Sequence, residues 1–320
     1  MKKFLTLVLP AIFAVVFIGC KEPEPEPVVE EATASADSVT VSETLKADES
    51  YVAPTEDTAD TLIENLIKDL SKDENAEKML EAAAKKIYDN IKIVGFEENA
   101  AKSITVDLTS LSQFIKDLQN MNGAGETSFN VSVPAGSVID ESGLKVDVEK
   151  CDANGNYKLD MDVSGDAPSG SMSIGGSANA KASASIDFEK FDPELSKDSI
   201  IKSIYCNAIL TADVNIAVDI VAQDISGSAA ANCSYGASMV FVDNGVAGIL
   251  VANSNMSFNV DDAALKSMMS GGSYSELLEN AISGNINLSL YDLDGNEITT
   301  KTISAEELLS EISSGFDVDD

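Results

Sequence analysis

The spacing of apolar residues changes period once along this chain, and the change divides it. From Thr58 the stretch TADTLIENLIKDLSKDENAEKMLEAAAKKIYDNIKIV carries Leu62, Ile63, Leu66, Ile67 and Leu70, then Ala76, Met79, Leu80, Ala83, Ile87 and Ile91. Residues three and four apart share one side of a helix, so both series predict amphipathic helices. LTSLSQFIKDLQNM repeats the pattern with Leu111, Phe114, Ile115, Leu118 and Met121, and Thr109 or Ser110 stands where a cap is wanted. From Ser128 the period is two. Phe129, Val131 and Val133 alternate with polar residues, and LKVDVEKCDANGNYKLDMDVSG predicts two strands around an Asn-Gly turn.

Four longer alternating runs follow. The apolar sets are Met172 to Phe188 at even positions, Ala208 to Ile220 at even positions, and Ala229 to Phe241 at odd positions. After an Asp-Asn-Gly turn come Val246, Leu250, Ala252, Met256, Phe258 and Val260. One dry side and one wet side per strand predict antiparallel sheet. DPELSKDSIIKSI opens with an Asp-Pro cap, SYSELLENAIS predicts a helix, NINLSLYDLDGNEITTKTIS a hairpin, and Ser304 with Glu307 forms a capping box. The sum is an α+β domain over residues 58–320: helical over 58–121, β-rich over 128–304, with a C-terminal helix over 304–315. Its large antiparallel β-sheet carries amphipathic helices packed on the apolar face. In mid-strand the dry face is lined by small residues, Ala178 to Ala184 and Ala229 to Ala237, with bulk gathered toward the ends. Either the helices or a lipid-like ligand fills that strip. The helices are the simpler filling, since their stripes need a surface to cover.

The N-terminal segment has another character. In MKKFLTLVLPAIFAVVFIGC, Lys2 and Lys3 precede an apolar run from Phe4 to Ile18, and Gly19 precedes Cys20. The run is shorter than a spanning helix needs and Pro10 interrupts it, so residues 1–19 read as a secretory signal. The border FIGC resembles the lipobox of bacterial lipoproteins, and Phe17 in place of the usual Leu resembles the looser spirochaete form. The resemblance covers residues 1–20. It implies that Cys20 is diacylated through a glyceryl group, becomes the first residue after cleavage, and anchors the protein by membrane lipid. Lys21 is not the aspartate that retains such proteins on the inner membrane, which by the same resemblance implies the outer membrane, on its periplasmic or its outer side. Acyl chains at about 0.8 kcal/mol per buried methylene hold a protein on a bilayer when two or more are present. Residues 20–57 begin with Glu-Pro repeats and continue with scattered Ser, Thr, Asp and Glu, so they read as an acidic, proline-rich, disordered tether.

A net charge of −33 excludes nucleic acid, because such a surface repels phosphates. Cys151, Cys206 and Cys233 allow at most one internal disulfide, and Cys233 on an apolar face reads as a small buried hydrophobe. The chain has no histidine, which removes Ser-His-Asp and Cys-His catalysis and histidine-rich metal sites. Ser199 and Lys202 match S-x-x-K, but neither the S-D-N nor the K-T-G element of penicillin-binding enzymes accompanies them, so a solvated helix is the reading. Asp152, Asn154, Asn156 and Asp160, and again Asp292, Asp294 and Asn296, offer oxygen ligands at alternate positions suited to calcium. The Gly and Glu of an EF-hand loop are missing from both, and hairpin turns explain the same residues. No cofactor and no catalytic residue are expected. The leading reading is a non-enzymatic envelope lipoprotein displaying a β-rich interaction domain for contact with another envelope component or with the outside, its protein partner or apolar ligand left open. The alternatives are a carrier for an apolar ligand between sheet and helices, and an enzyme of unrecognised type.

Overall fold

The computed structural model describes residues 31–70, 72–94, 104–120, 124–162, 169–219, 221–222, 224–269 and 281–304. The chain is α+β. After a single helical turn at Glu43–Lys46 come helices α1 (Ala59–Leu70) and α2 (Glu74–Asp89), then strands β1 (Ile91–Val94) and β2 (Ile104–Asp107), then α3 (Thr109–Asn120). Nine strands follow: β3 (Ala124–Val133), β4 (Ser137–Glu141), β5 (Leu144–Asp162), β6 (Ser169–Asp187), β7 (Ile201–Asp219), β8 (Asp224–Asp243), β9 (Val246–Val260), β10 (Ile282–Tyr291) and β11 (Glu297–Ser304). A single helical turn at Phe188–Phe191 and two further short helices, α4 (Pro193–Asp198) and α5 (Asp262–Met269), sit between strands.

The large sheet is an antiparallel meander in the order β11-β10-β9-β8-β7-β6-β5, with β3 and β4 both on the far side of β5. Strand β4 pairs with Leu144–Val148 and β3 with Cys151–Asp160, so the two act as one edge strand broken at Pro134. A proline donates nothing to a ladder and is tolerated at such an edge break. The turns Ser142-Gly143 and Asn244-Gly245 have positive φ at both residues, the type I′ geometry that matches strand twist. Asn244 and Gly245 stand in the predicted Asp-Asn-Gly turn.

Directly paired residues share a face. The predicted dry sets of β6 to β9 fall on one side of the sheet, where Ile186, Ile204, Met239, Leu250 and Leu290 form one row. The helices cover this side at both ends. At the end nearest Asn244-Gly245, α1 and α2 lay Ile63, Leu66, Leu70 and Met79 against Phe188, Ile201, Phe241 and Leu290. Leu66, Met79, Phe188 and Phe241 are fully buried, each contributing about 1.5–3 kcal/mol relative to exposure. The end of α2, with β1 and β2, packs on β4 and the start of β5. At the other end α3 covers Val131, Ala153 and Ala178, and α5 covers Ala229, Phe258 and Val260.

Several expectations are corrected. Strand β5 runs unbroken through Asn154-Gly155, where a turn was expected. A bulge between Val148 and Lys150 shifts its inward parity from Leu144, Val146 and Val148 to Cys151, Ala153 and Gly155. One strand with a phase shift therefore reads, residue by residue, as two. Gly155 lies opposite Phe129, whose ring meets Phe114 of α3 edge-on at 5.0 Å. Ile91 belongs to β1 and not to the helical stripe, since α2 stops at Asp89. Thr109 and Ser110 lie inside the first turn of α3, and the Asp107 carboxylate accepts the Thr109 N–H instead (2.9 Å). Asp192 caps α4 as expected, but that helix ends at Asp198 and Ile201 already starts β7. The predicted helices at 273–283 and 304–315 lie outside the described residues, apart from Ala281, which is helical, Ile282 and Ser283, which belong to β10, and Ser304, which ends β11 and does not start a helix.

The tether is the largest correction. Residues 31–57 are not a solvated spacer: they strap the wet face of the sheet, burying Ala32, Ala34, Ala36 and Leu45. Leu45, Val39, Val41 and Tyr51 pack with Val240, Ile249 and Val251 in a second core. Val52 then closes a parallel bridge with Val246.

Candidate functional site

Cys20 lies outside the described residues, as do positions 1–19 and 21–30. The first calcium set is not brought together. Asp152, Asn154 and Asn156 lie along β5 on its wet side at steps of two residues, about 6.8 Å each at the rise of a strand, and Asp160 stands about 14 Å beyond Asn156. Asp152 pairs with Lys150 (3.6 Å). In the second set, the Asp292 carboxylate accepts the N–H of Asp294 and Asn296 (2.9 Å each) and the Asn296 side-chain amide (2.8 Å). Burial works against its charge, but these hydrogen bonds and one from Gly295 outweigh it and hold the carboxyl below its ordinary range. Asp292 is thus the hub of a hairpin turn. No cluster of three or more histidine, cysteine, aspartate or glutamate side chains suited to a metal occurs among the described residues.

Ser199 and Lys202 are also taken up by the fold. The Ser199 hydroxyl donates to Asp73 Oδ2 (3.0 Å) and accepts the Ile201 N–H (3.2 Å). Lys202 Nζ donates to the carbonyls of Ser196 (2.7 Å) and Ser199 (2.8 Å), which closes the C-terminus of α4. Burial pushes this amine below its ordinary range, although Glu189, Asp73 and Asp198 pull the other way. The expected solvated helix is therefore a half-buried junction between helix and strand.

On the wet face the strap is read by side chains of three strands. Asn253 grips Ala34 twice, accepting its N–H (2.7 Å) and donating to its carbonyl (3.0 Å). Ser234 accepts from Ala32 N–H (2.8 Å), Asn207 donates to Thr33 O (2.9 Å) and Ser238 to Ser35 O (2.8 Å). Ser203 donates to Thr40 O (2.9 Å) further along. Pattern reading missed this set because it took wet-face Asn and Ser as solvated. A signal was present: Ala32, Ala34 and Ala36 alternate, as do Val39 and Val41, which is strand periodicity inside a polar stretch.

Elsewhere on this face Asp213 Oδ1 is shut off from solvent without a hydrogen bond among the described residues. Desolvation raises the carboxyl above its ordinary value. An acid whose folded pKa lies above its unfolded one destabilises the fold at every pH above that folded value, and the penalty fades as pH falls through it. Asp213→Asn is therefore expected to raise the melting midpoint at pH 7 by a small amount, with the gain absent in acid. A thermal series across pH 3 to 7 checks the sign.

On the dry face the helices leave the middle of β5, β6 and β7 as the floor of a cleft of about 60 Å³. Val146, Val148, Cys151, Ala180, Ala182, Ala184, Cys206 and Ala208 form the floor, and Ile87 of α2, Ile91 of β1 and Ile104 of β2 overhang it. Alanines permit the close approach, and the overhanging isoleucines make the enclosure apolar. The helices and a void thus share the central strip, which corrects the expectation that helix packing alone fills it. Cys151, Cys206 and Cys233 carry no disulfide. Burial pushes the Cys206 thiol up to about 12 and raises the other two, so all three are protonated and poorly nucleophilic at neutral pH.

No family model, no curated protein and no solved structure matches this chain.

Proposed function

We propose that this chain is a lipid-anchored protein of the bacterial cell envelope that displays a non-enzymatic, β-rich interaction domain. The observation that carries the reading is the strap: Glu31, whose carboxylate accepts from Asn255 (2.8 Å), already lies on the sheet, so no more than ten residues separate the sheet from Cys20. Ten residues reach at most about 35 Å when fully extended. The lipobox resemblance of residues 1–20 supplies the anchor, and the short stem holds the wet face close to the bilayer. The acidic surface repels anionic headgroups, so acyl chains and not a basic face keep the protein there. Support for a non-enzymatic role comes from Ser199, Lys202 and Asp292, whose polar atoms are engaged in holding turns and helix ends.

Metabolic labelling with a clickable palmitate is expected to mark the wild-type chain and leave Cys20→Ala unmarked, and detergent-free fractionation is expected to move the variant from membrane to soluble fractions. Equal labelling of the two chains would sink the anchor. Release of the domain from cells by protease added outside would assign the outer side.

A further inference from the structure

We infer that the groove over β8 on the wet face is a docking site for an extended segment of a partner protein, with small residues at every second position and a basic residue toward its N-terminal end, which takes the place of the strap. The inference rests on the interaction-domain part of the proposed function and not on the anchor.

The strap shows what the groove reads. Ser238 bonds Ser35 and Ser234 bonds Ala32, so the strap runs parallel to β8. Between them Gly236 forms the floor, and its direct partners, Asn207 of β7 and Asn253 of β9, stand on either side. Every hydrogen bond between residues 32–35 and these strands uses a main-chain N–H or C=O of the strap. Any extended chain carries those groups, so they give affinity, and the fit of alternate side chains gives selectivity. Ala32, Ala34 and Ala36 are buried, and the backbone at Thr33 and Ala34 lies within 2.6 Å of where a Cβ on Gly236 would stand. Small side chains at alternate positions permit that approach.

The strap leaves part of this groove unanswered. Two buried side-chain acceptors, Asn207 Oδ1 and Asp213 Oδ1, make no hydrogen bond among the described residues, and both flank β8 from β7. Acceptors shut off from water ordinarily hold a partner. Asn207 Oδ1 is 2.5 Å from where a Cβ on Gly236 would stand, so it points over the floor. Asp213 pairs with Ala230, while Glu31 bonds Asn255 in the row of Ser234, four residues short of it. A segment that offers an N–H to Asn207 and a lysine or arginine to Asp213 makes two contacts that residues 31–36 do not. The net charge of −33 draws a basic segment and repels a second copy, whose own strap carries Glu31 and Asp37.

The test uses the full-length chain carrying Cys20→Ser, so that its outcome is separate from the labelling of Cys20, and two synthetic peptides. One copies residues 28–42 of this chain, and the other carries Val28→Lys and Glu30→Lys. Neither holds an aromatic residue, Leu or Met, so both survive chymotrypsin. Leu45 of the strap is buried, and the lysine peptide is expected to speed cutting after it, saturably and at least roughly fivefold, by displacing the strap. Ala34→Glu, which crowds the strap out and leaves the groove itself unaltered, is expected to speed that cutting without peptide and to bind the lysine peptide about tenfold more tightly than the parent chain. In that background the lysine peptide is expected to bind roughly threefold more tightly than the unmodified one, the size of an exposed ion pair, and Asp213→Asn is expected to remove the difference. Asn253→Ala, which deletes both bonds to one main-chain residue, is expected to weaken both peptides about tenfold. Unchanged cutting of the parent chain, or no binding to the Ala34→Glu chain, overturns the docking site, and so does equal binding with and without Asn253. Unchanged cutting in Ala34→Glu without peptide overturns the requirement for small residues. Equal affinity of the two peptides overturns the basic partner in favour of the strap of a second copy, and a lysine advantage that survives Asp213→Asn removes Asp213 from the site.

Discussion

Replacing Asp73 with alanine is expected to lower the stability of the domain by about 2–4 kcal/mol, the combined effect of a lost helix cap and of donors left without an acceptor. One carboxylate oxygen accepts the N–H of Asn75 (3.0 Å) and Ala76 (2.9 Å), capping α2. The other accepts the Ser199 hydroxyl (3.0 Å) and the Ile200 N–H (2.6 Å), more than a hundred residues away. Asp73 therefore ties the helical layer to the junction between α4 and β7, beside the core of Leu66, Met79 and Ile201. Ser199 is buried, so alanine at 73 leaves its hydroxyl and the Ile200 N–H short of an acceptor. Asp73→Asn keeps one capping oxygen but turns an amide toward the Ile200 N–H, and an intermediate loss is expected. Urea unfolding of the two variants beside Asp60→Ala, an exposed acid in the first turn of α1, reads the difference. If Asp73→Ala lies within about 0.5 kcal/mol of that control, the carboxylate does not join the layers.

The second large effect is expected from a single methyl group. A Cβ on Gly236 meets Ala34 N at 2.5 Å, Asn207 Oδ1 at 2.5 Å and Thr33 C at 2.6 Å. Two of those atoms are backbone of the strap, so no side-chain rotation relieves the clash. Gly236→Ala is expected to cost about 1–3 kcal/mol in overpacking, and the strap absorbs it by lifting from β8. At ~1.4 kcal/mol per tenfold, the lifted state becomes roughly 5- to 150-fold more populated. Lys46, on the single helical turn Glu43–Lys46 beside buried Leu45, is the reporter. Trypsin is expected to cut after Lys46 faster in the variant by that factor, while the product beginning at Ala47 keeps the sheet intact. Equal cutting rates in the two chains would show that the strap does not depend on this contact.

The strap also marks where reading by pattern fails. Its residues are mostly polar, and their burial comes from side-chain amides and hydroxyls on the wet face of strands about 200 positions later. Asn253 reading Ala34 twice is invisible in either stretch alone, because neither carries enough apolar surface to announce an interface. The same holds for Asp73, which local spacing offers only as a cap; its second pair of donors arrives through the packing of α4 against α2. The cleft was half legible. Alternating alanines in β6 signalled a shallow strip, while those of β8 do not line the cleft; its overhang depends on β1 and β2, and Ile91 of β1 reads as the last turn of a helix until Asn90 ends it.

Period, parity and turn chemistry were enough to determine the antiparallel pairing, the dry and wet faces, the amphipathic helices and the Asp-Asn-Gly hairpin, since these are set by neighbours two to four residues apart, whereas the strand order is read from the structure. Only the tertiary structure decided that β5 is one bulged strand, that residues 31–57 close over the wet face, and that the helices cover the two ends of the dry face and leave a cleft. Each of these turns on which distant residues share a face, and that follows from strand register and not from local spacing.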